Sequence, residues 1–303
     1  EFKRIKPDIV HTHSSKAGII GRWAAYFARV PNIIHTVHGL PYHFFQPFYI
    51  RYFYVLAEFL TSLITHKILY VSGNNMQSCL IRGIGRKRDS HIVRSGLNIE
   101  DFLNAFGKGA EIRRKFGCGD DDMIFATVAR LFHLKGHKYI LQVAPEIIRK
   151  HPGVKFMFIG DGILRERFER IAREEGISEN IIFTGLIPPE EIPIYLDSCD
   201  GIIHPSLREG LPRVVPQAFL LEKPVIAFDV DGASEVVIPN ITGFLIPPGD
   251  MINLKKSLNY VINNTEGAKK MALSGKKLIL REFTIEKMVG DIEDIYKRML
   301  IDG

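Results

Sequence analysis

Two cations stand in a loop that follows a predicted strand in the second half of the chain. Arg130 and Lys135 come after the apolar run 124–128, and Gly136 follows them. An arginine binds a diphosphate through a fork of N–H donors, and a lysine adds a point charge. A glycine at that point lets the backbone approach a ligand. The pattern predicts a diphosphate site, and two exposed surface charges are the simpler alternative.

The most informative segment is 204–217, His-Pro-Ser-Leu-Arg-Glu-Gly-Leu-Pro-Arg-Val-Val-Pro-Gln. We predict that a strand ends at its start and that a helix begins about three residues after Glu209, which leaves the N–H groups of Gly210 and Leu211 free. A helix N-terminus attracts phosphate, and Glu209 either accepts hydrogen bonds from a ligand or caps the helix. Pro216 removes a helical hydrogen bond, so the helix start is expected to be distorted or shifted toward 215.

A glycine pair, Gly160 and Gly162, follows another predicted strand. It begins like a dinucleotide-binding fingerprint, but Arg165 stands where the third glycine should be. The nicotinamide or flavin interpretation therefore fails, and a tight turn that brings the backbone near a phosphate remains.

Two groups of residues could suggest a metal, and we predict none. Histidines at 11, 13, 35, 38 and 43 have no cysteine near them, and the first two lie at a strand end. Asp229-Val-Asp231 could hold a cation, but it follows a strand and precedes a glycine loop.

Short apolar runs alternate with helical patterns along the chain, which is typical of an α/β protein with parallel sheets. The predicted strands are 8–11, 33–37, 68–71, 124–128, 154–159, 181–183, 201–203 and 224–228. The pattern restarts after an irregular stretch, 102–122, so we predict two doubly wound domains. Their bounds are set at 1–108 and 109–284, and a final helix at 285–303 is predicted to cross back to the first domain.

Several motifs together resemble the large family-four group of retaining glycosyltransferases. They are Val10-His-Thr-His-Ser-Ser-Lys-Ala-Gly18, His35-Thr-Val-His-Gly39, Val128-Ala-Arg-Leu131 with Lys135-Gly136, Gly160-Asp-Gly162, Pro205 to Pro212, Asp231-Gly-Ala-Ser-Glu-Val236 and Thr242-Gly-Phe-Leu245. The resemblance covers nearly the whole chain. It implies two facing Rossmann-like domains of the GT-B type with a nucleotide-sugar donor in the cleft. It also implies that the first domain lacks its opening strand and glycine-rich loop.

The resemblance implies a role for each matching residue in the second domain. Arg130 and Lys135 match the pair that neutralises the departing diphosphate, and Glu209 matches the first carboxylate of a Glu-x7-Glu motif, which holds the donor sugar. Gln217 stands where the second carboxylate, which grips the ribose, is expected. An amide still accepts one hydrogen bond and donates another, so ribose binding is expected to be altered.

Three further residues are assigned by the same resemblance. His38 matches a histidine that contacts the donor sugar at the reacting face. Gly232 and Glu235 belong to a loop that lies under the leaving phosphates.

The implied reaction is transfer of a hexosyl group from a UDP-sugar, or less favourably a GDP-sugar, to a hydroxyl of a saccharide or lipid-linked acceptor. The resemblance implies retention of configuration, no metal and no cofactor beyond the donor, in cell-envelope polysaccharide or glycolipid synthesis. Two alternatives stay open: a nucleotide-sugar epimerase of the same architecture, and a non-catalytic nucleotide-sugar-binding module.

Composition limits the remaining possibilities. The formal charge is only +6 over 303 residues, and Asp89 directly follows the densest basic cluster, Arg86-Lys87-Arg88. This charge distribution does not indicate a nucleic-acid partner. Three scattered cysteines favour a reducing cytoplasm. The aromatic stretch 42–54 is expected to face the core, and the alternative is an amphipathic surface for an acceptor or for peripheral association with the inner face of a membrane.

Overall fold

The structure is a computed structural model that describes residues 1–302. Within this range the strands are β1 Ile9–His13, β2 Asn32–Val37, β3 Lys67–Tyr70, β4 Ser90–Ile92, β5 Met123–Val128, β6 Val154–Ile159, β7 Ile181–Gly185, β8 Gly201–His204, β9 Val225–Phe228 and β10 Phe244–Ile246. The α-helices are α1 Phe2–Ile5, α2 Ser15–Phe27, α3 Phe48–Ser62, α4 Gly73–Ile81, α5 Ile99–Ala105, α6 Ala110–Lys115, α7 His137–Lys150, α8 Arg165–Glu174, α9 Ile192–Asp197, α10 Val214–Leu220, α11 Met251–Asn263, α12 Thr265–Glu282 and α13 Ile285–Asp302.

The chain divides into two compact units. Unit 1 contains Glu1–Gly96 and the segment from Ile285 onward, and unit 2 is Leu97–Thr284. The boundary set from the sequence at 108/109 lies twelve residues too late. The reason is that α5 packs against α9 and α10, and the Gly109 N–H donates to the Asp197 carboxylate at 2.8 Å. These contacts place the segment from 97 onward in unit 2.

Unit 1 is a four-stranded parallel sheet whose strands follow chain order, β1-β2-β3-β4. Its central strands are largely buried on both faces, as is usual when helices cover a parallel sheet. One core cluster joins Ile34 and Leu69 to Ile295 and Met299 of α13. The apolar stripe of α13 is therefore what holds this helix to unit 1.

Helix α3 departs from the sequence expectation. The aromatic stretch around it was expected to face the core, yet most of its aromatic side chains are exposed, and Tyr42 is the fully buried exception. The space beneath is filled by Tyr42, Ile68, Tyr70 and Cys79, while α3 itself buries Glu58, Thr61 and Ser62.

Unit 2 is a six-stranded parallel sheet with the order β10-β9-β8-β5-β6-β7. From β5 the chain runs through β6 to β7 on one side, and it then returns to place β8 on the other side of β5. Helices α7, α8 and α11 pack together over a core that includes Phe125, Phe156 and Leu258. Each unit is thus a Rossmann-like α/β layer structure.

No helix in the described range of 302 residues combines the length and the apolar character that crossing a bilayer requires.

Candidate functional site

The order of strands in unit 2 creates a switch point between β5 and β8. In open parallel sheets, ligands bind at the carboxyl ends of the strands where the strand order reverses, because the loops of the two neighbouring strands diverge there. Residues 129–136 leave the end of β5, and residues 205–213 leave the end of β8. The predicted cations and the predicted carboxylate lie in these two loops.

Lys135 and Glu209 meet across this switch point. The Lys135 Nζ donates to Oε1 of Glu209 at 2.6 Å, and the Ser206 hydroxyl donates to the same oxygen at 2.6 Å. His204 Nε2 lies 3.3 Å from that oxygen. The Glu209 side chain is only 16% exposed. The carboxylate is therefore held in one place by groups from both loops.

The charge of Glu209 follows from its surroundings. Burial works to raise the pKa of this carboxyl, but His204 and Lys135 outweigh burial and lower the pKa to about 2. Glu209 is thus ionised at neutral pH. It can accept hydrogen bonds, and it has no proton to donate as a general acid.

Asp231 fixes the backbone at Glu209. The Glu209 N–H donates to Oδ2 of Asp231 at 2.7 Å, and burial raises the pKa of Asp231. Asp231 itself has a left-handed backbone, with φ at 45°. The sequence treated Asp229-Val-Asp231 only as a weak metal candidate and missed this anchoring contact, which joins residues 22 positions apart. No group of three or more His, Cys, Asp or Glu side chains suited to a metal ion occurs among residues 1–302.

Arg130 is exposed two residues beyond the end of β5. Its guanidinium makes no hydrogen bond or ion pair with any residue in the described part of the chain. Lys135 ends a short 3-10 turn, His133–Lys135, and its side chain is 30% exposed. The structure brings Lys135, but not Arg130, into contact with Glu209.

The three glycines predicted to approach a phosphate each lie close to other backbone. Gly136 has φ at 73°, and a Cβ there would lie 1.8 Å from the carbonyl oxygen of Pro205. A Cβ at Gly160 or at Gly162 would lie 2.4 or 2.5 Å from a carbonyl oxygen of the β5 loop. Gly136 thus allows the loops that carry Lys135 and Glu209 to pack closely, and Gly160 and Gly162 allow the loop after β6 to pack against the loop after β5. The sequence did not reveal this structural requirement.

The helix after Glu209 starts later than the main prediction. Helix α10 is Val214–Leu220, so the loop that contains Gly210 and Leu211 extends about two residues further than predicted. Pro216 is the third residue of α10, and N–H groups in the first turn of a helix have no intrahelical acceptor. A proline costs no hydrogen bond at this place, which explains why the helix begins at Val214. Gln217 is half-buried on α10, and its side chain makes no hydrogen bond to another described residue.

Gly232 follows Asp231 directly and precedes a short 3-10 turn, Ala233–Glu235, of which Glu235 is the last residue. Gly232 is buried and Glu235 is half-buried. Their loop is joined to the Glu209 loop through the Asp231 contact described above.

Unit 1 carries a cluster of histidines at the carboxyl ends of β1 and β2. His38, which is exposed, shares a hydrogen bond of 3.0 Å with His13, and the rings of His13 and His11 stack at 4.4 Å. His11 contacts the Tyr296 hydroxyl at 2.6 Å and the Thr36 hydroxyl at 2.7 Å. The sequence singled out His38 but gave no sign that α13 supplies Tyr296.

Burial controls the protonation of two histidines near this edge, His11 and His35. Burial, followed by the nearby His13 and His38, lowers the pKa of His11 to about 4. Burial and the charge of Arg22 lower the pKa of His35 to about 2. Both rings are therefore neutral at physiological pH and serve as hydrogen-bonding groups rather than as charges.

Comparison with known proteins identifies the kind of chain that shares these features. The family model for glycosyl transferases group 1 matches residues 109–278, and that for Glycosyltransferase Family 4 matches residues 1–101. A UDP-Gal:alpha-D-GlcNAc-diphosphoundecaprenol alpha-1,3-galactosyltransferase of Escherichia coli is 28% identical over 304 residues, which covers 99% of this chain and 78% of the relative. A second relative, "Putative glycosyltransferase EpsD" of Bacillus subtilis, is 28% identical over 298 residues, which covers 95% of this chain and 76% of the relative.

Solved structures share the fold. The Anabaena protein HepE in complex with UDP matches with a TM-score of 0.85 at 21% identity, over 97% of this chain and 79% of that one. Sucrose-phosphate synthase from Thermosynechococcus elongatus matches with a TM-score of 0.85 at 20% identity, over 100% and 76%. The two-unit architecture is therefore that of GT-B glycosyltransferases.

Proposed function

This chain belongs to the glycosyl transferases of group 1, and from that premise we propose that it moves a hexosyl group from a UDP-sugar to a hydroxyl acceptor with retention of configuration. Family membership makes it a glycosyltransferase that acts on nucleotide sugars. The donor nucleotide, the stereochemistry and the residue roles are the proposal.

The observation that carries the proposal is the Lys135–Glu209 contact across the β5/β8 switch point. A lysine ammonium has three donors, and Glu209 uses one of them, so two remain for phosphate oxygens. Arg130 adds a guanidinium that is exposed to solvent. In this arrangement the diphosphate binds to the cations, while ionised Glu209 accepts hydrogen bonds from hydroxyls of the donor sugar.

The proposed transfer needs no covalent intermediate. The bond between the anomeric carbon and the β-phosphate oxygen breaks, and its electron pair leaves with UDP. The acceptor oxygen bonds to the anomeric carbon from the same face, and its proton passes to the departing phosphate oxygen. Arg130 and Lys135 stabilise the charge that develops on the diphosphate, so the protein supplies positive charge from its own side chains and we propose that no metal is required.

The acceptor side of the proposal rests on unit 1. His38 stands at the carboxyl end of β2, where its contact with His13 orients the ring. We assign it to the donor sugar at the reacting face. The Escherichia coli relative acts on a diphosphoundecaprenol-linked sugar, and we propose a saccharide or lipid-linked acceptor, in polysaccharide or glycolipid synthesis at the cytoplasmic face of a membrane.

Gln217 is the residue that favours a different function. If an amide in place of a ribose-binding carboxylate weakened the donor site enough, the chain would bind a nucleotide sugar without turning it over. In the proposed function, Gln217 keeps one hydrogen bond to the ribose through its carbonyl and donates another through its NH₂ group.

A donor screen tests this proposal. The full chain is incubated with UDP- and GDP-sugars and a panel of acceptors, with a chelator present, and both nucleotide release and the anomeric configuration of the product are measured. We expect UDP release that depends on the acceptor and an α-product from an α-donor. Epimerised donor without acceptor would indicate an epimerase, donor binding without turnover would indicate a binding module, and an inverted product or loss of activity with chelator would overturn the mechanism.

A further inference from the structure

Helix α3 turns its aromatic residues to solvent and buries polar residues, which is the reverse of the usual orientation. Its aromatic residues Phe48, Tyr52 and Phe53 are 76%, 69% and 64% exposed, whereas its Glu58 and Thr61 are buried. Surface helices normally turn their apolar stripe to the core and their polar residues to solvent.

Specific contacts hold α3 in this orientation. The Arg22 guanidinium, from α2, donates to the buried Glu58 carboxylate at 2.7 Å, and the Ser15 hydroxyl donates to the other oxygen at 2.7 Å. The Trp23 ring N–H donates to the Thr61 hydroxyl at 3.1 Å. Rotating α3 about its axis would leave the Arg22 charge buried without the Glu58 carboxylate. These contacts therefore fix the helix with its apolar face toward solvent.

The exposed residues of α3 and of the loop before it, together with Arg82, form a surface that we call the aromatic face. It includes a groove of about 700 Å³ with apolar walls and two arginines at its edge. The residues that form the aromatic face are Phe44, Phe45, Phe48, Tyr49, Arg51, Tyr52, Phe53, Leu56 and Arg82. Monomeric proteins rarely expose apolar patches of this extent unless something binds them.

The location of the aromatic face connects it to the histidine cluster. Phe44 and Phe45 are 85% and 56% exposed and lie in the loop that leads from His38 to α3. A helix that follows a strand in a parallel sheet begins at the carboxyl edge of that sheet. The first turns of α3 therefore lie at the same edge as His38.

The charge of this part of the chain is strongly positive. Residues 1–96 contain 13 Lys and Arg but only four Asp and Glu, whereas the whole chain has a net charge of +6. Of the four acidic residues, Glu58 is buried against Arg22 and Asp89 pairs with Lys67 at 2.9 Å. The two charged residues of the aromatic face, Arg51 and Arg82, are both cationic.

We propose that the aromatic face docks on the surface of an anionic lipid bilayer. Phenylalanine and tyrosine favour the boundary between headgroups and acyl chains, and arginines beside them attract anionic headgroups. Docking would hold His38 close to the bilayer surface, where the headgroup of a lipid-linked acceptor lies. The choice of that acceptor rests on the proposed function, but the docking itself does not.

Vesicle flotation of the full chain tests the docking. At low salt we expect binding to phosphatidylcholine vesicles that contain about one third phosphatidylglycerol, and little binding to phosphatidylcholine alone. Tyr52→Ser/Phe53→Ser is expected to weaken binding about tenfold or more, because two apolar anchors are lost. Arg51→Gln is expected to weaken it less and to reduce its dependence on salt.

A matched control uses apolar residues that are exposed singly elsewhere. Leu186 and Ile252 of unit 2 are 81% and 65% exposed, and Leu186→Ser/Ile252→Ser should leave flotation unchanged. Absence of flotation for the native chain, or equal loss in both double variants, overturns the proposal. A third result would also overturn it: the native chain does not bind vesicles but forms a dimer in lipid-free solution, and Tyr52→Ser/Phe53→Ser abolishes that dimer. The aromatic face would then bind a second copy of the chain.

Turnover separates this inference from the proposed function. UDP release with a water-soluble acceptor requires no vesicle. Normal release without flotation overturns the docking alone, and flotation without release overturns the proposed function alone.

Discussion

The two units both contain a parallel sheet, but they differ in strand order and in where they place their charged residues. Unit 2 reverses its strand order beside β5, and it uses that switch point to hold an ionised carboxylate against a lysine. Unit 1 keeps its strands in chain order, and its polar residues form hydrogen bonds among histidines and a buried Arg22–Glu58 pair. In unit 2 Lys135 is partly exposed to solvent at the switch point, whereas in unit 1 the Arg22–Glu58 pair is buried and holds α3 in its orientation.

The largest effect on stability is expected from the ion pair in unit 1. Arg22→Met leaves the Glu58 carboxylate buried without its cationic partner, which should lower the free energy of unfolding by about 3–5 kcal/mol. Urea denaturation followed by the fluorescence of Trp23, the only tryptophan, reports on unit 1. Arg4 pairs with Glu1 at the same 2.7 Å but with both side chains mostly exposed, so Arg4→Met should cost less than about 1 kcal/mol. Equal effects would contradict the assigned role of burial.

The largest effect on catalysis is expected in unit 2. Lys135→Met removes the ammonium at the switch point and should lower kcat about a hundredfold or more, as when a preorganised transition-state donor is lost. The control is Lys138→Met, an exposed lysine on the next helix, which should stay within about twofold of the native rate. The proposed roles at the switch point would be wrong if both variants turned over normally.

Asp231 should have a smaller effect because it acts through the position of Glu209. Asp231→Ala removes the acceptor of the Glu209 N–H and is expected to lower kcat about tenfold. Asp231→Asn keeps an acceptor oxygen and tolerates the left-handed backbone, so it should recover most of the rate. Equal rates for the two variants would show that the contact does not position Glu209.

The smallest effect concerns pH. The pKa of His11 falls from 6.5 in the unfolded chain to about 4 in the folded one, so the unfolded state binds more protons between these values. The stability that neutral His11 contributes is complete above pH 6.5 and is lost as the pH falls toward 4. The free energy of unfolding is measured by Trp23 fluorescence as a function of pH, and His11→Gln should reduce its change between pH 4 and 6.5. His137→Leu in unit 2, where burial also lowers the histidine pKa to about 4, should leave that profile unchanged.

Local sequence patterns predicted most of the sheets. Buried parallel strands are continuous apolar runs, and the prediction for 154–159 matches β6 at both ends. Strands β4 and β10 were missed because each has only three residues, too few for any pattern. The late start of α10 follows from Pro216, whose effect the sequence indicated without fixing the first residue.

Contacts between distant residues could not be predicted. Periodicity shows that α3 has an apolar stripe but does not say which way the stripe faces, and its orientation depends on Arg22, 36 residues away. The switch point depends on the spatial order of strands. The contact of Glu209 with Lys135 spans 74 residues, so motif spacing identified both side chains but not their pairing.

The central claim is that unit 2 supplies the charges that hold the nucleotide diphosphate. Titration calorimetry of UDP with the full chain tests it directly, with Arg130→Gln/Lys135→Met compared with His38→Ala. We predict that the unit 2 variant binds UDP about a hundredfold more weakly, because two charge-assisted contacts are lost, and that His38→Ala binds it with native affinity. Native affinity in the unit 2 variant, or a comparable loss in His38→Ala, would contradict the account.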